Sequence, residues 1–172
     1  MPLTSPIEPP TGRAANALVE ALRSRGWYLA TAESCTGGGV AHAVTSIAGS
    51  SAVFDRGFVT YTDRSKVEML GVPRALLEAH GAVSEAVARA MAEGALRASR
   101  ADVAVAVTGI AGPGGATPGK PVGMVCFAWA TRAGAQAART RHLPGDRGAV
   151  REASVRIALD GVSALASGSL PE

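Results

Sequence analysis

The sequence predicts an α/β or α+β sandwich on a mixed β-sheet, folded as one domain. Three observations carry that expectation. Strand-length apolar runs alternate with helical periodicity over the first two thirds of the chain, the pattern of parallel pairing. Two strand-like runs, 122–131 and 136–142, then follow one another directly, as an antiparallel pair would. No repeat or interdomain linker breaks the 172 residues. The domain is placed at 12–166.

Residues 1–11 hold four prolines and read as a disordered tail. Thr11 caps a helix whose apolar positions Ala15, Leu18, Val19 and Leu22 share one face, and Gly26 stops it. Residues 27–32 form a strand that runs into Glu33-Ser34-Cys35-Thr36-Gly37-Gly38-Gly39. The stretch 40–46 is helical, Gly49-Ser50-Ser51 turns, and a second strand spans 53–61 with a bend at Gly57. Thr62 or Asp63 caps a short helix carrying Lys66 and Met69. Pro73 opens another, ended by Gly81. Ser84 caps an Ala-rich helix to about Arg97. The run 103–108 is apolar throughout, as in a strand buried on both faces. A loop follows at 109–121, then the strand pair turning near Ala133-Gly134, then a helix from near Asp146 to about Leu165. Residues 167–172 form a short C-terminal tail.

Composition removes several function classes. The chain is 47% hydrophobic and 18% charged, long enough to bury a core without disulfides or structural metal. No run approaches the ~18 apolar residues of a membrane span. The first residues lack the layout of a signal peptide, so a cytoplasmic protein with Cys35 and Cys126 reduced is expected. Net charge is +3, but the cations are spread out and aromatics make up only 4%. A nucleic-acid surface wants a basic stripe or a stacking platform, and neither is present. A small anionic ligand fits better. Of the 17 cations, only Lys66 and Lys120 are lysine. Lysine can lose its proton in a protein and arginine effectively cannot, so both positions draw attention.

Four segments can carry chemistry. At Glu33–Gly38 a strand ends in Ser34 and glycines follow. That exposes a hydroxyl beside the N–H groups of Thr36, Gly37 and Gly38, as acyl transfer requires. On spacing alone, a glycine-rich turn in which Ser34 caps the helix is the simpler reading. The 109–121 loop admits close backbone approach to a ligand. It fails the Walker A pattern, because Gly115-Ala116 stand where Lys-Ser/Thr belong, and it fails the dinucleotide fingerprint at Thr117. Tyr61 closes a strand and Lys66 lies about one helical turn past the following cap. Arg147 opens the last helix, where an arginine can hold phosphate as readily as it can face solvent. His42, His80 and His142 show no ligand spacing with the cysteines, so no metal is expected. A Cys35–His nucleophile stays open. Residues alone thus reach a small-ligand site at one sheet edge, and no substrate.

Several linked motifs are more specific. Thr31-Ala32-Glu33-Ser34-Cys35-Thr36-Gly37-Gly38, Ile47-Ala48-Gly49-Ser50-Ser51, Arg56-Gly57-Phe58-Val59-Thr60-Tyr61, His80-Gly81-Ala82-Val83-Ser84, Thr108-Gly109-Ile110-Ala111-Gly112-Pro113-Gly114-Gly115 and Lys120-Pro121-Val122-Gly123 resemble the C-terminal domain of the competence-associated CinA proteins. They resemble equally its stand-alone form, the nicotinamide-nucleotide amidohydrolases. The likeness covers roughly 14–165. It implies a three-layer α/β/α sandwich, commonly a homodimer, without the pyrophosphatase domain of the longer members.

It also implies deamidation of nicotinamide mononucleotide (NMN) in pyridine-nucleotide recycling, without metal or cofactor. A Ser–Lys mechanism falls on Ser34 and Lys66, with Tyr61 and an arginine placed at Arg147. Lys66 must then be partly neutral near pH 7, which burial or a neighbouring cation achieves. Backbone N–H groups of the Gly37-Gly38 turn would hold the oxyanion, Thr108 and Gly109 would lie near the scissile amide, and Ser50, Ser51, Gly112 and Arg147 are candidates for the phosphate. The alternatives are a non-catalytic nucleotide-sensing or protein-binding module, and an amidase for another small carboxamide.

Overall fold

The computed structural model describes residues 10–172. The expected tail lies outside them as far as residue 9. Pro10 and Thr11 already belong to the first helix, so the helix starts one residue before the expected cap. The elements are α1 (Pro10–Arg25), β1 (Leu29–Glu33), α2 (Gly39–Thr45), β2 (Phe54–Val59), α3 (Asp63–Leu70), α4 (Arg74–His80), α5 (Glu85–Arg97), β3 (Val103–Gly109), β4 (Met124–Thr131), β5 (Gln136–His142) and α6 (Arg147–Ala166). A short 3₁₀ turn, Ser50–Ala52, precedes β2.

The sheet runs β2-β1-β3-β4-β5. The first three strands are parallel, and β3-β4-β5 are antiparallel. It is mixed, as the sequence pattern implies. Val122 falls outside β4, because the Gly123 N–H turns back to the Ile110 carbonyl at 2.7 Å. Residues 167–172 stay close to the domain: the Ser169 N–H reaches the Ala164 carbonyl, Pro171 is buried, and Arg141 donates to the Glu172 carbonyl.

Alternation along the strands builds two unequal cores. One face presents Leu29, Val103, Val105, Val107, Val125, Phe127 and Trp129, packed on α1, α2 and α6. The other presents Ala30, Ala32, Ala104, Ala106, Ala128 and Ala130, packed on α3, α4 and α5. Small side chains let α5 lie close to the sheet. Two glycines permit similar closeness elsewhere. A Cβ on Gly94 of α5 would sit 2.1 Å from the Leu70 carbonyl oxygen, and one on Gly161 of α6 2.2 Å from the Trp129 ring. The result is an α/β/α sandwich whose parallel strands β1 and β3 end at the same edge. Side chains fix the helix starts at that edge: Thr62 and Ser65 form a capping box on α3, and the Asp146 carboxylate accepts the Ala149 N–H at 2.9 Å on α6.

Candidate active site

The pleat that separates the two cores also sorts the end of β1. Glu33 is directed to α2 and the next residue, Ser34, to α3. The Lys66 ammonium of α3 donates to the Ser34 hydroxyl at 3.1 Å and to the Thr60 carbonyl at 2.8 Å. Lys66 is 1% exposed, and no carboxylate bonds it among the described residues. Burial therefore pushes its pKa below the ordinary 10.5; the charge of Asp63 and, more weakly, the Cys35 thiol oppose the shift. A lysine lowered in this way and touching a hydroxyl can accept its proton. Cys35 is a poor rival. It is 5% exposed, and burial pushes its thiol up to about 11, so it stays protonated near neutral pH.

Glu33 holds the turn that carries the serine, a role that spacing did not suggest. Its buried carboxylate accepts the Thr36 hydroxyl at 2.7 Å and the N–H groups of Val40 and Ala41 at 2.8 and 3.0 Å. From the other side, Arg151 of α6 donates to the Cys35 and Thr36 carbonyls, each at 3.1 Å. The only sequence sign of Arg151 was its spacing of one helical turn from Arg147.

These bonds also involve part of the expected binding set. Thr36 is buried and its hydroxyl points to Glu33. The Gly37 N–H is engaged by the Ser34 carbonyl at 3.0 Å, and Gly38 forms the left-handed lead into α2. None of the three lines the cleft beside Ser34. Ser50 and Ser51 are also elsewhere. They precede β2, whose first residues pair with the start of β1, whereas Ser34 follows its end. A five-residue strand puts ~17 Å between those edges.

The remaining candidates do converge. A cleft of about 280 Å³ is lined by Ser34, Lys66, Tyr61, Thr108, Gly109, Gly112 and Arg147. Asp63 lines it as well, a charged residue that the sequence offered only as a cap. The Thr108 hydroxyl ties the end of β3 to the Ala82 carbonyl at 2.9 Å. Arg147 donates to the Gly112 carbonyl at 2.9 Å and to the Tyr61 hydroxyl at 3.0 Å. A second hollow of about 590 Å³ shares Ala111 and Arg147 with this cleft and is lined also by Pro113, Val122 and Gly145. Among the described residues no group of three His, Cys, Asp or Glu is placed to hold a metal ion, and no helix is long and apolar enough to cross a membrane.

Fold and cleft together define a single α/β/α domain with a serine–lysine pair at the carboxyl edge of its parallel strands. The chain belongs to the CinA C-terminal domain family, whose model matches residues 12–166. It is 54% identical over 140 residues to the nicotinamide-nucleotide amidohydrolase PncC of Escherichia coli K12, covering 81% of this chain and 85% of that protein. It is 57% identical over 133 residues to a CinA-like protein of Akkermansia muciniphila, covering 77% of this chain. There it spans only 32% of the relative's length. The crystal structure of competence/damage inducible protein CihA from Agrobacterium tumefaciens superposes with a TM-score of 0.86 at 48% identity, over 91% of this chain and 95% of that one.

Proposed function

We propose that this protein is a nicotinamide-nucleotide amidohydrolase, which hydrolyses the carboxamide of NMN to nicotinate mononucleotide and ammonia. The 3.1 Å contact between the buried Lys66 ammonium and the Ser34 hydroxyl carries this reading. The likeness to the E. coli enzyme, over most of both chains, supplies the substrate.

In the first step neutral Lys66 takes the Ser34 proton as Oγ attacks the carboxamide carbon, and the carbonyl π pair moves onto oxygen. The tetrahedral intermediate collapses, the C–N bond breaks, and protonated Lys66 hands its proton to the departing nitrogen as ammonia leaves. Water then attacks the acyl carbon and gives a proton to Lys66; the C–Oγ bond breaks as Lys66 returns that proton to Oγ, which frees Ser34 and releases the acid, ionised in water to the carboxylate. Burial suits both halves: it favours the neutral amine between steps and strengthens the bond to the hydroxyl. Arg147 supplies the charge for the substrate's phosphate. The reaction belongs to pyridine-nucleotide recycling in the cytoplasm, and the chain acts as a homodimer.

Ammonia release from NMN by the purified protein, with and without EDTA, tests the proposal. Turnover insensitive to chelator and abolished by Ser34→Ala is expected. No release by the wild type, or full activity in Ser34→Ala, would overturn it.

A further inference from the structure

Lys120 is the second lysine in a chain that otherwise uses arginine, and the mechanism does not employ it. It stands near the end of the long loop after β3. That loop is closed at its neck, where the Ile110 N–H meets the Met124 carbonyl at 2.9 Å and the Gly123 N–H meets the Ile110 carbonyl at 2.7 Å. Inside it, Thr117 and Lys120 exchange backbone hydrogen bonds at 3.0 and 2.9 Å. Its first half, from Ile110 to Gly115, forms one wall of the cleft.

Another part of the lining is the α4–α5 connection, where Ala82 and Val83 line the cleft. Three successive carbonyls of that connection are held by side chains. The Ser84 hydroxyl donates to Gly81, the Thr108 hydroxyl to Ala82, and the Lys120 ammonium to His80, the last residue of α4. A cation at a helix carboxyl end is favourable, because the terminal carbonyls lack partners. The ammonium lies where Gly81 has no side chain: a Cβ there would come within 2.8 Å of Nζ, and Gly81 has φ +72°. A compact point charge fits that space, whereas a planar guanidinium is wider.

We propose that Lys120 is a positioning residue: its bond to the His80 carbonyl holds the 111–122 loop against the end of α4 and so places Gly112, and through it Arg147, for substrate binding. The loop then has two cationic tethers besides its neck, Lys120 to His80 and Arg147 to Gly112. Removing one leaves the fold intact and lets the loop swing. The kinetic part rests on the amidohydrolase reading, whereas the loop's attachment does not.

The test compares the full chain with Lys120→Met, which keeps the aliphatic stem, and with Lys120→Ala, which removes it. Backbone hydrogen exchange should quicken in 111–122 and stay unchanged in the sheet. The KM for NMN should rise about five- to tenfold with kcat within about twofold, the effect of losing one charge-assisted bond that orders a binding wall. Lys120→Arg should not restore KM. Unchanged exchange in the loop, or protection lost throughout the domain in both single variants, would overturn the proposal. A KM within twofold of wild type would overturn it too. If the wild type releases no ammonia from NMN, the amidohydrolase reading fails and exchange alone decides the role of Lys120.

Discussion

Arg147 and Tyr61, at the start of α6 and just beyond β2, are joined by a 3.0 Å hydrogen bond from guanidinium to phenol oxygen. The bond joins two side chains that line the cleft, one from α6 and one from the β2–α3 connection. Neither partner of Arg147, the Tyr61 hydroxyl nor the Gly112 carbonyl, is charged, and no carboxylate pairs with it among the described residues. An arginine fixed in place but not neutralised is prepared for an anion.

Arg147→Ala should therefore act on binding. Loss of a charged contact of ~1.5–3 kcal/mol raises KM by roughly ten- to a hundredfold with kcat little changed. Nicotinamide riboside, which lacks the phosphate, should be a poor substrate for the wild type and barely affected by the change. Steady-state kinetics on both substrates decides; a fall in kcat at constant KM would move Arg147 into the chemical step.

Neighbouring nucleophiles give a second contrast. Ser34→Ala should abolish turnover, while Cys35→Ala should keep much of it, since burial pushes the Cys35 thiol up to about 11. Ammonia assays on the two variants, with far-ultraviolet circular dichroism as a folding control, measure this. The reverse pattern would reassign the attacking atom.

The lowered pKa of Lys66 makes a pH prediction with a definite sign. On the proposed mechanism the neutral amine is the base, so kcat/KM should climb with pH along a limb centred below 10.5. The Asp63 charge raises the pKa of Lys66, so Asp63→Asn should move that limb to lower pH. Stability follows the same linkage. Between the lowered value and 10.5 the unfolded chain binds the proton more tightly, so stability rises with pH across that window. Lys66→Met should flatten the rise and raise Tm by ~2–4 °C near pH 7, while eliminating activity. Thermal melts against pH test both statements.

Glu33 predicts a different failure. Glu33→Gln places an amide NH₂ among three donors, and one acceptor is lost. Stability should fall by about 2–4 kcal/mol in urea titration. Turnover should drop as well, because the turn holding Ser34 relaxes. Wild-type kcat in a folded Glu33→Gln protein would restrict the residue to the stability of α2.

Much of the fold is readable from periodicity. The α5 cap at Ser84, the apolar β3 and the β4–β5 pair all write their pattern locally, and the structure has each of them. The converging residues Ser34, Lys66, Tyr61, Thr108, Gly109, Gly112 and Arg147 were nameable because strand ends and helix starts mark one edge. What spacing did not contain is direction. Thr36 and Gly37 lie beside Ser34 in the chain, yet Glu33 draws that turn toward the opposite layer. Ser50 and Ser51 share a motif with no marker of which end of a parallel strand it precedes. Lys120 reaches His80 across 40 residues, a pairing that only the tertiary fold creates.

The alanines on one face of the sheet act as a gauge for the cleft. They set how near α5 lies, and the cleft wall at Ala82 and Val83 leads directly into that helix through Ser84. A methylene added at Ala104 or Ala106 would be transmitted as a shift of this wall, because packed interiors pass strain on rather than absorb it. Extra volume for thermal robustness is therefore best sought on the valine face, away from α5. On the alanine side, any gain in packing would alter the width of the cleft.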